Sequence, residues 1–113
     1  NQFVVRVKSP INIPNVSSSN ANNLRIVQHD NSLKGNPRDW FMRSLSDRGI
    51  NTIIYYPIPI HLQPAYKQLG YSLGSLPITE NHCEEVLSLP IFPELSLEEQ
   101  HYVIESIRQI LSI

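Results

Sequence analysis

The sequence predicts an α+β fold in which a short sheet packs with about four helices. Two runs rich in β-branched and aromatic residues, 3–7 and 50–56, predict strands. Two helix starts stand out, one at Asn36 and one at Ser96, because each residue carries a side chain that can cap backbone N–H groups. A length of 113 residues suits one compact domain, so we interpret 1–113 as a single small domain.

The first strand is followed by a long polar connection. The run 3–7 is more apolar than alternating, which predicts a strand covered on both faces. Ser, Asn and Pro then dominate 9–36, and its centre at 17–23 has nothing to bury, so we predict a flexible insertion there. A short extra strand at 24–27 is compatible with its composition. Disorder and a crossing to a partner subunit both remain open for this insertion.

The helix that follows has a complete set of start and stop signals. Asn36 can cap it, and Pro37 occupies a first-turn position where no donor is needed. Gly49 supplies the left-handed stop. Its predicted apolar face comprises Trp40, Phe41 and Leu45.

Short elements fill the middle of the chain. The strand 50–56 ends at Pro57, and a short helix is predicted over 62–69, closed by Gly70. Thr79 is predicted to cap a further helix, whose inward side chains are Cys83, Val86 and Leu87.

The last helix carries the clearest periodic pattern. Ser96 and Glu99 form a predicted capping box. Glu105 and Arg108, three residues apart, are placed to pair. The predicted buried stripe is Val103, Ile104, Ile107, Ile110 and Leu111.

Composition excludes several classes of function. Nine basic against ten acidic side chains leave a net charge of −1, so phosphate-backbone binding to nucleic acid is not expected. No apolar run is long enough for a membrane helix. The single Cys83 fits a reducing compartment, and we predict a cytoplasmic protein. No metal site is predicted, because the four histidines and Cys83 lack the spacing of a tetrahedral set.

Several blocks in the second half of the chain occur in a recognisable order. They are YYPIP at 55–59, HLQPAY at 61–66, LGY at 69–71, LP at 76–77 with Glu80, and EVLSLP at 85–90 followed by FP at 92–93. Together they resemble the C-terminal segment of the DegT-type, pyridoxal-phosphate-dependent sugar aminotransferases. The run 3–7 is similar to the strand that begins the small domain of that family, and the likeness covers about three quarters of the chain.

The resemblance implies the small C-terminal domain of a fold-type I aminotransferase. Such enzymes transfer an amino group, here expected from glutamate, to a keto-sugar nucleotide in polysaccharide or antibiotic sugar biosynthesis, and act as homodimers. Their cofactor, pyridoxal 5'-phosphate, forms an imine with a lysine of the large domain. The lysines here, Lys8, Lys34 and Lys67, do not match that residue. We therefore expect a fragment of a longer enzyme, inactive alone, with no catalytic or cofactor-binding residue of its own; a stand-alone remnant or binding module is the alternative.

The resemblance also implies a substrate site at 55–61. Proline fixes the backbone after Tyr55 and Tyr56, and in a strand these two side chains would point to opposite faces, one into the domain and one towards a cleft. The matching aromatic pair of the family contacts the sugar nucleotide, so we predict substrate binding by Tyr55 and Tyr56. A packing role for either tyrosine is the alternative. His61 either caps the following helix or approaches the substrate.

Overall fold

The computed structural model describes residues 2–8 and 36–113 and is an α+β fold, as predicted. The predicted flexible insertion at 9–36, with its possible strand at 24–27, lies outside the described residues except for Asn36. The elements, in chain order, are strand β1 (Phe3–Arg6), helix α1 (Pro37–Ser46), two 3₁₀ turns (Ile60–Leu62 and Pro64–Leu69), helix α2 (Pro77–Glu85), strand β2 (Val86–Leu89) and helix α3 (Leu97–Leu111).

Strand β2 lies at the centre of the small sheet. On one side it pairs antiparallel with β1, in a register that sets Phe3 opposite Leu89. On its other side Ser88 and Ile53 exchange two backbone hydrogen bonds, of 2.8 and 3.1 Å. The predicted strand at 50–56 is therefore wrong in extent, because within the described part of the chain only Ile53 of this run pairs with a neighbouring strand.

The prediction that the preceding helix includes Val86 and Leu87 is also wrong. Helix α2 ends at Glu85, and both residues belong to β2. Leu87 is nonetheless buried, as predicted, at 1% exposure. The chain leaves the helical conformation because β1 offers a row of backbone donors and acceptors that β2 satisfies.

Helix α1 begins and ends as predicted. The Asn36 side chain accepts a hydrogen bond of 2.9 Å from the Arg38 N–H. Phe41 and Leu45 are buried, and Trp40 is half-buried. Gly49 follows with a φ of 74°, the left-handed conformation that glycine adopts without strain.

Two side chains at the start of α1 donate hydrogen bonds to backbone carbonyls at the end of α2. Arg38 is buried and donates through Nη1 to the Cys83 carbonyl at 2.6 Å. Asn36 donates through Nδ2 to the Glu84 carbonyl at 3.2 Å. The last carbonyls of a helix have no partner within it, so these contacts satisfy groups that would otherwise be orphaned.

The segment predicted as a helix over 62–69 forms two 3₁₀ turns instead, separated by Gln63. Gly70 closes the second turn in the left-handed conformation, as predicted. The Thr79 cap is wrong as well: α2 begins earlier, at Pro77, without a side-chain bond from its cap residue. Proline favours a helix start, which explains the earlier beginning.

Helix α3 has the predicted capping box. Ser96 accepts from the Glu99 N–H at 3.2 Å, and Glu99 accepts from the Ser96 N–H at 2.8 Å. Glu105 and Arg108 pair on the exposed face at 3.2 Å. The predicted stripe is only partly right, because Ile104 is half-exposed and Ser106 is the buried residue of the helix. The remaining stripe residues, Val103, Ile107, Ile110 and Leu111, pack partly buried against the core.

The buried core is small, and much apolar surface is left open. The core consists of Val7, Phe41, Leu45, Ile50 and Leu87. The expectation that β1 is covered on both faces is wrong for the described residues, since Phe3 and Val4 are each more than half exposed. Many large apolar side chains elsewhere are exposed too, among them Ile58, Leu69, Leu73, Ile78, Phe92 and Leu97. Exposure on this scale is typical of a surface that packs against other protein.

Candidate functional site

The predicted site lies on a segment, residues 54–60, that is held at both ends. At its start, Ile53 is bonded to Ser88 in the centre of the sheet. At its end, His61 is buried in the first 3₁₀ turn. Pro57 and Pro59 lie between these anchors and fix two φ angles of the segment. We call residues 54–60 the tyrosine segment.

Tyr55 and Tyr56 both face outward from the tyrosine segment. They are 49% and 55% exposed, so the expectation that one of them packs into the domain is wrong. The reason is that this segment leaves the sheet after Ile53 and no longer alternates between two covered faces. No hydrogen bond joins either hydroxyl to another residue in 2–8 or 36–113, which leaves both available to a ligand.

His61 does not cap a helix, because no side-chain bond caps either 3₁₀ turn. His61 is 8% exposed, and its Nε2 lies 3.0 Å from Oε1 of Glu80. The Tyr71 ring meets it edge-on, with 6.0 Å between ring centroids. Nδ1 is buried and has no hydrogen-bond partner among the described residues. Since a carboxylate only accepts, Nε2 carries the proton in this contact. Direct contact of His61 with substrate stays a prediction.

Glu80 joins three parts of the chain at one carboxylate. Besides His61, its oxygens accept from the Gly74 N–H at 2.9 and 3.0 Å and from the Leu76 N–H at 3.1 Å. Its side chain is only 12% exposed. The Gly74 N–H is the main cause that lowers the pKa of Glu80 below its ordinary value, and the bonds from His61 and Leu76 add to it while burial opposes it.

Glu80 belongs to one of the sequence blocks that carry the family resemblance, but no role was predicted for it. The available signal was an acidic residue in the first turn of a helix that starts at a proline, after a Gly-Ser turn. Such a carboxylate is well placed to accept from backbone N–H groups of the preceding turn. Its partner His61 lies nineteen residues away in the sequence, at a distance that local patterns do not reveal.

The Glu80 contacts make a pH dependence of stability testable. Because the pKa is lower in the folded than in the unfolded chain, the ionised carboxylate stabilises the fold above its ordinary pKa of 4.5. This contribution is lost as the pH falls through the folded value. We expect the free energy of urea unfolding to drop more between pH 6 and about pH 3 in the wild type than in Glu80→Gln. Equal drops in the two proteins would contradict this assignment.

A second feature is a cavity of about 330 Å³ bordered by β1, α1, β2 and α3. Its walls are apolar apart from Arg6 and Lys8. Arg6 is already bound to Glu85. A pyridoxal phosphate site needs a desolvated lysine and a carboxylate for the ring nitrogen. Lys8 and Lys67 are exposed, and no acidic residue lines the cavity, so the described residues do not fit that cofactor.

Residues 2–8 and 36–113 do not indicate a metal site or a reactive thiol. Within these ranges no three His, Cys, Asp or Glu side chains group closely enough to hold a metal ion. Cys83 is buried, and burial raises the pKa of its thiol, which makes it a packing residue as predicted. None of the described helices has the length and apolar character that crossing a bilayer requires.

Comparison with known proteins gives a consistent family. A family model described as the DegT/DnrJ/EryC1/StrS aminotransferase family matches residues 5–108. A "pleiotropic regulatory protein" of Geobacillus stearothermophilus is 46% identical over 83 residues, covering 74% of this chain and 22% of the relative. A "dTDP-3-amino-3,6-dideoxy-alpha-D-galactopyranose transaminase" of Aneurinibacillus thermoaerophilus is 35% identical over 108 residues, covering 95% of this chain and 28% of the relative.

A solved structure supports the same likeness at the level of the fold. The crystal structure of S. venezuelae DesV in complex with a ketimine intermediate matches with a TM-score of 0.63 and 41% identity. The match covers 67% of this chain and 20% of DesV. The chain thus spans about a fifth to just over a quarter of the length of the proteins that it resembles.

Proposed function

This chain belongs to the DegT/DnrJ/EryC1/StrS aminotransferase family, and from that premise we propose that it forms the substrate-facing part of a sugar-nucleotide aminotransferase. The reaction moves an amino group, from glutamate, to a keto-sugar nucleotide. The pyridoxal phosphate cofactor is held by protein outside residues 2–8 and 36–113, because within these ranges Lys8 and Lys67 are exposed and no carboxylate lines the cavity beside β1. The enzyme acts as a homodimer in the cytoplasm.

The observation that carries this proposal is the outward pair Tyr55 and Tyr56 on a segment anchored at both ends. Their hydroxyls have no partner among the described residues, and they can donate to or accept from sugar hydroxyls. Their rings offer flat apolar faces for stacking on a sugar or base. Anchoring at Ile53 and His61 reduces the entropy that ligand binding would otherwise cost.

The exposed apolar surface favours a role inside a larger protein over a stand-alone binding module. Phe3 and Val4 of β1 and Ile78 of α2 are each more than half exposed. A domain that works alone would bury more of such side chains. This surface is suited to packing against the rest of a longer enzyme, which would then supply the cofactor lysine.

The proposal is tested by grafting the whole chain, residues 1–113, in place of the matching region of the A. thermoaerophilus transaminase, which aligns with 95% of this chain. In the graft, the double substitution Tyr55→Phe and Tyr56→Phe should raise KM for the sugar nucleotide on the order of tenfold, as expected for the loss of two hydrogen bonds. Both kcat and the absorbance of the bound cofactor should change little, because the tyrosines position substrate and do not enter the chemistry.

Tyr66→Phe is the matched control, since Tyr66 is also exposed but lies on the second 3₁₀ turn beyond His61. It should leave both kinetic constants unchanged. If the double variant and the Tyr66 control give the same KM, the proposed substrate site is wrong.

A further inference from the structure

We propose that Glu80 is a positioning residue for the substrate site: through His61 it holds the far end of the tyrosine segment. This inference rests on the proposed function of Tyr55 and Tyr56. Among the described residues, Glu80 forms no hydrogen bond with Tyr55 or Tyr56, so its effect on them passes through His61.

The Glu80 carboxylate is fixed before it meets His61. It projects from the first turn of α2 and accepts from two backbone N–H groups at 2.9–3.1 Å, through a bifurcated bond from Gly74 to both oxygens and a bond from Leu76. A carboxylate held in this way has little rotational freedom left. It therefore presents Oε1 to the imidazole at a defined point, 3.0 Å from Nε2.

The orientation of His61 depends on that contact. Its other ring nitrogen, Nδ1, is buried without a partner among the described residues, so Nε2 makes the only hydrogen bond that the structure records for this ring. The Tyr71 ring packs edge-on against His61 and contributes a packing contact but no hydrogen bond. Without Glu80, both nitrogens of the buried ring would lack a hydrogen-bond partner. The cost of burying them unpaired would then favour a different position of the ring.

Movement of His61 is transmitted to the tyrosines because the intervening backbone is stiff. Pro57 and Pro59 remove two φ rotations, and the Leu62 N–H closes a turn onto the Pro59 carbonyl at 2.9 Å. The other end is fixed by the Ile53–Ser88 pair. A shift at His61 therefore cannot be absorbed next to it and reaches Tyr56 and Tyr55.

The kinetic experiment uses the same graft and three variants. His61→Phe keeps a ring against Tyr71 and leaves the backbone bonds of Glu80 intact, so it removes only the cross-link. It should raise KM for the sugar nucleotide roughly three- to tenfold, with kcat changed less than about twofold. Glu80→Ala should raise KM at least as much, because it also releases the turn at Gly74. Glu80→Gln, which keeps an acceptor oxygen, should lie between Glu80→Ala and the wild type.

Ser96→Ala separates positioning from a general loss of stability. It removes the capping box of α3, far from His61 in sequence and without contact to the tyrosine segment in the recorded bonds. It should lower the midpoint of thermal unfolding and leave KM unchanged. If His61→Phe and Glu80→Ala change KM no more than Ser96→Ala does, the positioning role is overturned.

A measurement on the 113-residue chain is independent of the enzymatic function. Amide order parameters at 54–56, 58 and 60 should fall in His61→Phe from a rigid value near 0.85 towards about 0.6, while those of α3 stay constant. Unchanged order parameters overturn the proposal even if the Tyr55 and Tyr56 variants alter KM. Loss of order without any effect of the tyrosine variants on KM supports the anchoring but contradicts the substrate site.

Discussion

Replacing Leu45 with alanine should lower the free energy of unfolding by about 2–5 kcal/mol, the largest effect that we expect of any single substitution in this chain. Leu45 is 0% exposed and belongs to a core cluster that has only five buried members among the described residues. Removing its side chain loses the transfer free energy of the buried atoms and leaves a cavity that the surrounding elements close incompletely. Because natural domains are stable by only about 5–15 kcal/mol, this loss is a large part of the total.

The measurement is equilibrium urea unfolding followed by circular dichroism. Leu97→Ala is the control of equal chemistry, since Leu97 is 72% exposed at the start of α3 and should change stability by less than about 0.5 kcal/mol. A loss below about 1 kcal/mol for Leu45→Ala would mean that the cluster around α1 is not the core of the folded chain in solution.

The parts of the fold that local chemistry decides could be predicted from the sequence. Asn36 and Ser96 cap their helices, and Gly49 and Gly70 end elements in the left-handed conformation, all as expected. In each case the signal and the group that it satisfies lie within a few residues of one another. Such signals need no knowledge of the rest of the fold.

The parts that depend on distant partners could not be predicted. Val86–Leu89 has too few residues to distinguish a strand from the last turn of a helix, and its conformation is decided by pairing with Phe3–Arg6, some eighty residues earlier. In the same way, a complete strand had been predicted over 50–56, but among the described residues Ile53 is the one position of this run that pairs, with Ser88. Pairing of this kind is settled by tertiary contacts that override local propensity.

The same distinction between nearby and distant partners applies to the candidate site. Tyr55 and Tyr56 were predicted as a substrate site from the resemblance to the family's aromatic pair, and both are exposed, as such a site requires. The contact between His61 and Glu80 escaped prediction because each residue has a plausible local role, as a cap or as a helix-start carboxylate. Only the fold brings them to 3.0 Å, and their burial together then distinguishes a cross-link from a surface pair.

Replacing Arg38 with methionine should cost about 2–3 kcal/mol of unfolding free energy, the second large effect. The guanidinium is mostly buried and donates to the Cys83 carbonyl at 2.6 Å, where α2 ends. Methionine preserves much of the apolar packing of the arginine stem but leaves that carbonyl without its partner. A buried acceptor that loses a charged donor incurs the desolvation cost in full.

Helix α2 carries Glu80 in its first turn, and Arg38 holds the last turn of the same helix. Arg108→Met is the control: its pair with Glu105 is exposed on both sides and should contribute less than about 0.5 kcal/mol. Arg38→Met should therefore lower the urea midpoint well below that of Arg108→Met with an unchanged denaturant slope. Similar midpoints for the two variants would show that Arg38 is dispensable for holding α2.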